Sequence, residues 1–337
     1  MKENYHNMSV PELEAKRNAL VFGRKYEKPL ATVTVAPLSP EPSSVSPVEQ
    51  STDEEADIFD EGPVLEKIFE KAHKRVLSIQ PQLEEFGAVR NPAQLEEARE
   101  KIKRKKYYID THNTERENHQ SKISTITEAL FTDGVSRYRW LGEGMESYVV
   151  SLYDDYFNNI DGVVRFTREQ DTFEGFAVDL HCGLNEETLQ KKFSFLVGDI
   201  MNGRVSKLDF LLDDNEEPFE PIEIPKFIIA IPSKDAKELF ALWQKNDTEA
   251  LKAHPIKSLI MQQIVAQADA LCLVAQRSGR EDLVKVFNRI VSYINNTAVS
   301  HRQDLKQAIF DEHKNSIVKR MRNMITKAEY DQTKKAA

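Results

Sequence analysis

Two aspartates stand at the ends of β-like runs, where their carboxylates would be able to share a cation. Asp161 opens the run NNIDGVVRF, and Asp179 lies near the end of EGFAVDLHC. If the runs Ile160 to Thr167 and Phe173 to Cys182 pair as a hairpin around the polar turn Arg168 to Thr172, the start of one meets the end of the other. Two carboxylates with the backbone carbonyl of Leu180 suit Mg²⁺, because hard cations take oxygen ligands. The apolar neighbours Ala177 and Val178 sharpen the expectation, since a buried carboxylate is costly without a partner. His181 follows Asp179 by two residues and shares its strand face. Lys191 and Lys192 fall on the helix expected next. Each group also has a plainer reading. Asp161 with Asn158, Asn159 and Gly162 makes a good turn, Asp179 with His181 makes a structural pair, and both lysines suit a solvated helix face. Tyr153, Tyr156 and Phe157 read as core rather than as base-stacking rings.

From about residue 140 to 232 the order of features resembles the PD-(D/E)XK nuclease superfamily: an acid beginning one strand, an acid on the next, then a helix and a further strand. Uncharacterised bacterial proteins with a similar core look alike in the same way. The resemblance implies an α/β fold, with a restriction-endonuclease-like mixed sheet flanked by helices. It also implies that Asp161 and Asp179 bind Mg²⁺ and that a glutamate from the preceding helix completes the site, here Glu146, with Asp155 as a substitute. In the family a lysine two residues after the second acid orients or activates the attacking water. This chain has His181 at that position, so the resemblance passes the work to His181 or to a displaced cation, Lys191 or Lys192.

Periodicity gives the elements that must position these groups. Val64, Leu65, Ile68, Phe69, Ala72 and Val76 predict an amphipathic helix within 63–84. A second helix over about 91–118 contains KIKRKKYYID, whose Lys101, Lys103, Arg104, Lys105 and Lys106 form a basic cluster for nucleic-acid phosphates or, more plainly, a solvated face. Tyr107 and Tyr108 beside them offer rings on which bases stack. Residues 120–157 read as helical, with breaks near Asp133-Gly134 and Gly142 to Gly144 and an apolar stripe of Met145, Val149, Leu152, Tyr153 and Tyr156 on the last helix. A helix from about Asn185 to Met201, capped by Asn185, follows the hairpin. Two more β-like runs, Val205 to Leu212 and Lys226 to Ile231, flank an acidic loop from Asp213 to Pro225. The second is apolar on both faces, as expected of an interior strand. From Ser233 onward the chain reads as helix, including Ile256 to Ala275 and Leu283 to Ile294, and closes in a basic, polar tail. The resulting organisation is a core at 120–232, between a helical extension at 63–119 and a helical region at 233–337. Residues 29–62, rich in Pro, Ser and acids, read as a linker, and residues 1–28 as a short amphipathic helix or a docking segment for a protein partner.

Composition bounds what this organisation can do. The chain has 337 residues, 40% hydrophobic and 30% charged, the balance of a water-soluble protein with an ion-rich surface. Its apolar runs, such as Phe227 to Ile231, are far shorter than the ~18 residues of a spanning helix, so no membrane crossing is expected. The N-terminus shows no continuous apolar stretch, which predicts no secretory signal and a cytoplasmic location. Two cysteines, Cys182 and Cys272, fit a reducing compartment and exclude a disulfide framework. A net charge of -9 opposes broad binding to polyanions and leaves that task to local basic clusters. No P-loop, G-x-G-x-x-G, G-x-S-x-G or H-E-x-x-H motif occurs, which removes the usual support for P-loop hydrolysis, dinucleotide redox chemistry, serine hydrolysis and zincin proteolysis. Two functions remain: a Mg²⁺-dependent nuclease-like protein acting on or binding nucleic acid, and a noncatalytic interaction module that keeps the fold. Composition is silent on oligomeric state.

Overall fold

A computed structural model of the chain describes residues 62–166, 174–212, 217–300 and 312–336. The docking segment expected at 1–28, the linker expected at 29–62 except Gly62, and the turn expected from Arg168 to Thr172 lie outside the described residues. Four strands form a mixed sheet: β1 (Met145–Val149), β2 (Gly162–Phe166), β3 (Gly175–Cys182) and β6 (Lys226–Ile231), in the order β1-β2-β3-β6. β2 runs antiparallel to both β1 and β3, and β6 lies parallel to β3. Gly162 faces Val178 across the β2–β3 ladder, which sets Asp161 opposite Asp179 as the hairpin reading requires. A parallel neighbour needs a crossover, and the crossover contains α5 (Glu186–Met201), whose cap Asn185 accepts the Thr188 N–H at 2.9 Å. The run expected from Val205 to Leu212 does not join this sheet. Its first part is β4 (Ser206–Leu208), which pairs with β5 (Ile222–Ile224), a strand inside the segment expected to be loop.

The segment before the hairpin departs most from expectation. The helix expected over 91–118 is α2 (Pro92–His112), capped by Asn91, and α3 (Glu115–Ser136) starts afresh at the cap Thr114. Asp133-Gly134 does not break α3. Gly134 is buried there under Trp140, whose ring would stand 2.3 Å from a Cβ at that position. The break at Gly142 and Gly144 is real, since both adopt positive φ, but it leads into β1 rather than a helix. Met145, Ser147 and Val149 are buried, and Glu146 and Tyr148 between them are half-buried. Only α4 (Leu152–Asn158) remains of the final helix.

Helices cover the sheet. From the N-terminal side, α1 (Gly62–Leu77) buries Leu65, Ile68, Ala72 and Val76 against α3. From the C-terminal side come α6 (Ser233–Gln244), α7 (Thr248–Ala253), α8 (Ile256–Arg277), α9 (Glu281–Ser300) and α10 (Glu312–Ala336). The basic tail is thus a helix, with Ile317, Met321, Ile325 and Ala328 buried at helical spacing. One apolar cluster runs through α1, α3, the sheet and α5 to α10. The stretch Thr248–Arg277 is long and apolar enough to cross a bilayer by length and composition, yet 72% of its most apolar window is buried inside the protein, so the core accounts for its apolarity.

Strand β6, expected in the interior, is the edge of the sheet. Its apolar residues need cover on both faces and receive it from α8 and the neighbouring helices. Its open edge is closed by side chains. Gln263 accepts the Ala230 N–H at 2.9 Å and donates to the Ala230 carbonyl at 2.8 Å. Gln267 does the same for Ile228 at 2.9 and 2.7 Å.

Candidate active site

The turn from α4 into β2 delivers the first carboxylate. Asn159 caps α4 in the left-handed region at φ 50°, a conformation that Asn tolerates. The Asp161 N–H then donates to the Val178 carbonyl at 2.9 Å, and the Asp161 Oδ2 accepts the Leu180 N–H at 2.6 Å. At Leu180 it is thus the amide that meets Asp161. Asp179 comes from β3, 5% exposed, and its Oδ1 accepts from the Lys192 ammonium at 2.5 Å. Two more carboxylates close the group: Asp155 from α4, and Glu128 from α3, which accepts a hydrogen bond from the Ser124 hydroxyl at 3.2 Å.

Asp179 is buried, Asp161, Asp155 and Glu128 are half-buried, and their charges act on one another. Burial first, then the charges of Asp179 and Asp155, push Asp161 up to about 8, against the Leu180 amide and Lys192. Burial, then Asp179, push Asp155 up to about 6, against the field of Lys105. Glu128 is raised well above the ordinary range by burial and by Asp161 and Asp155. Lys226, at the start of β6, is lowered by burial, while the charges of Asp179 and Asp161 oppose that shift.

Of the residues singled out in the sequence, Asp161, Asp179 and Lys192 come together, and Asp155 joins them. Lys191 does not; it points outward and pairs with Glu187 at 2.6 Å. His181 stays on β3 opposite Ala230, and the cation on Asp179 is Lys192. Glu146 is on no helix. It sits in β1 opposite Arg165, with the Tyr148 hydroxyl 3.5 Å away. The helix glutamate beside the aspartates is Glu128, which sequence reasoning missed. Its signal was a lone carboxylate between the buried residues Ile126, Thr127, Ala129 and Leu130.

Helix α2 packs beside α4 and brings the basic cluster to the flank of the site. Lys101 is paired with Glu97 at 2.8 Å and Lys103 with Glu100 at 3.7 Å. Arg104 and Lys106 are exposed, and Lys105 acts on Asp155. Tyr107 is 69% exposed, while the Tyr108 ring, 56% exposed, is stacked on His112 at 4.4 Å between centroids.

Carboxylates that raise one another's proton affinity are oxygen donors short of positive charge. That donor chemistry fits a hard divalent cation. Among the described residues no three His, Cys, Asp or Glu side chains form a ready metal-binding group. Mg²⁺ does not demand one, since it is commonly held by one or two carboxylates and otherwise by water and phosphate. No protein-family model, no curated protein and no solved structure matches this chain.

Proposed function

We propose that this chain is a Mg²⁺-dependent phosphodiesterase acting on nucleic acid, built on a PD-(D/E)XK-type, restriction-endonuclease-like core whose lysine has moved to α5. The observation that carries the reading is the Lys192 ammonium on the Asp179 carboxylate, with Asp161, Asp155 and Glu128 gathered beside it. The element order supports it: a helix with the glutamate, three antiparallel strands with the aspartates, a helix with the lysine, and a parallel strand.

Asp161 and Asp179 would hold the cation, with water and phosphate filling its other positions, and Glu128 stands beside them from α3. A bound Mg²⁺ supplies charge at the scissile phosphate and a lowered pKa for the attacking water. Lys192 is placed to hydrogen-bond an attacking water and to offset the negative charge that develops on the phosphoryl oxygens. Asp155, pushed up to about 6, is a proton acceptor beside Asp161 and Asp179. Arg104, Lys106 and Tyr107 of α2 guide the strand toward the carboxylates.

The test is incubation with single- and double-stranded DNA and RNA in Mg²⁺ or Mn²⁺, with calorimetry of Mn²⁺ binding. Asp179→Asn and Lys192→Ala are expected to lower cleavage by roughly 10²-fold or more, and Lys191→Ala, at a paired surface lysine, to leave it unchanged. A wild type that leaves every substrate intact and takes up no Mn²⁺ ends the hydrolase reading. The alternative is then a noncatalytic module in which Lys192 serves as the permanent counter-ion of Asp179, a role that their direct contact favours.

A further inference from the structure

Lys226 has no part in the hydrolytic set above, yet it stands where three of that set's supports meet. It is the first residue of β6 and lies opposite Ala177. The Ala177 N–H donates to the Pro225 carbonyl at 2.8 Å, which fixes this end of β6 to the strand that bears Asp179. From there the Lys226 ammonium donates to the carbonyls of Asn158 at 3.4 Å and Asn159 at 3.2 Å. Asn158 is the last residue of α4, the helix of Asp155. Asn159 is the left-handed cap, and Asp161 follows two residues later. The last carbonyls of a helix carry partial negative charge and lack intrahelical donors, so a cation fits there.

We propose that Lys226 is a positioning residue, which sets the place of Asp161 against Asp179 by holding the α4–β2 turn to the β3–β6 edge. This deepens the reading of the site as a cation-dependent hydrolase and rests on it. The ammonium need not touch substrate. It fixes the carbonyls before Asp161, and the carboxylate that results is the one bonded to the Leu180 amide.

A positioning role and a mere charge effect have opposite signs. Removing a cation beside a metal site strengthens metal binding by electrostatics alone, whereas releasing a carboxylate from its place weakens it. Lys226→Met and Lys226→Arg are compared with wild type by calorimetry of Mn²⁺ alone and, without metal, by hydrogen exchange at the Leu180 amide. The Ala230 amide, held by Gln263, is the reference for exchange. Methionine is expected to weaken Mn²⁺ binding by roughly ten- to a hundredfold, the usual loss when a group that orients a metal ligand is removed, and to speed exchange at Leu180 but not at Ala230. Arginine, which keeps the charge and the donors, is expected to restore both. If methionine prevents folding, Lys226→Gln, shorter by one bond and uncharged, is judged by the same readouts. Tighter or unchanged Mn²⁺ binding with Leu180 exchange as in wild type overturns the proposal. A wild type that gives no Mn²⁺ heat defeats the hydrolase reading instead, and the exchange measurement still decides the place of Asp161.

Discussion

Asp161 holds its proton to about pH 8 because the fold gathers it with Asp179 and Asp155, whereas an ordinary aspartate titrates at 3.8. The folded protein therefore binds more protons at this residue than the unfolded chain does between those values. Stability must fall as pH rises across that window, with the penalty absent below about 4 and complete above about 8. Asp155, pushed up to about 6, adds a loss of the same sign that is complete sooner. In thermal unfolding with EDTA, Asp161→Asn is expected to melt close to wild type at pH 4 and clearly higher at pH 8. A difference between the two proteins that stays constant from pH 4 to 8 would sink the account. The charge that costs stability in the metal-free protein is the charge that a cation would use.

The closure of β6 is an agreement between two element geometries. Alternate residues of a strand present their amide and carbonyl to one edge, and Ile228 and Ala230 are ~6.6 Å apart along it. Gln263 and Gln267 are one helical turn apart, ~6 Å along α8, so two side-chain amides replace a fifth strand. Gln267→Leu leaves the Ile228 amide and carbonyl buried without partners, an expected cost of about 2 to 5 kcal/mol in urea unfolding. A cost under about 0.5 kcal/mol would show that the edge does not need the glutamine. This device explains why β6 reads as an interior strand: its faces are buried like one, and residues 33 and 39 positions downstream satisfy its edge. The same limit hid Glu128. Apolar residues at 145 and 149 satisfy the helical period and the strand period equally, so β1 reads as helix and the search for a helix glutamate stops at Glu146. The aspartates escaped this ambiguity because β2, β3 and the Asn185 cap carry strong local signals. Lys192 rather than Lys191 was settled by the turn of α5 against β3, which depends on long-range packing.

Taken whole, the molecule carries a net charge of -9 and gathers four carboxylates at the site, so its mean field repels a nucleic acid. Any affinity must come from a local positive face near the site, and α2 provides one. Lys101 and Lys103 on that face are already paired with glutamates of their own helix, while Arg104 and Lys106 extend into solvent. Each neutralised phosphate adds about 0.7 to the slope of log affinity against log salt for a single strand. Binding measured in EDTA, so that nothing is cut, should weaken with salt. Arg104→Ala with Lys106→Ala should reduce that slope by roughly 1 to 2, because two phosphates are left without a protein cation. Lys101→Ala with Lys103→Ala should reduce it less, because those charges are spent within the helix. Equal reductions from both pairs would place the strand along the whole cluster. Binding insensitive to salt would remove α2 from the path and leave the acidic site without an electrostatic means of drawing a polyanion to it.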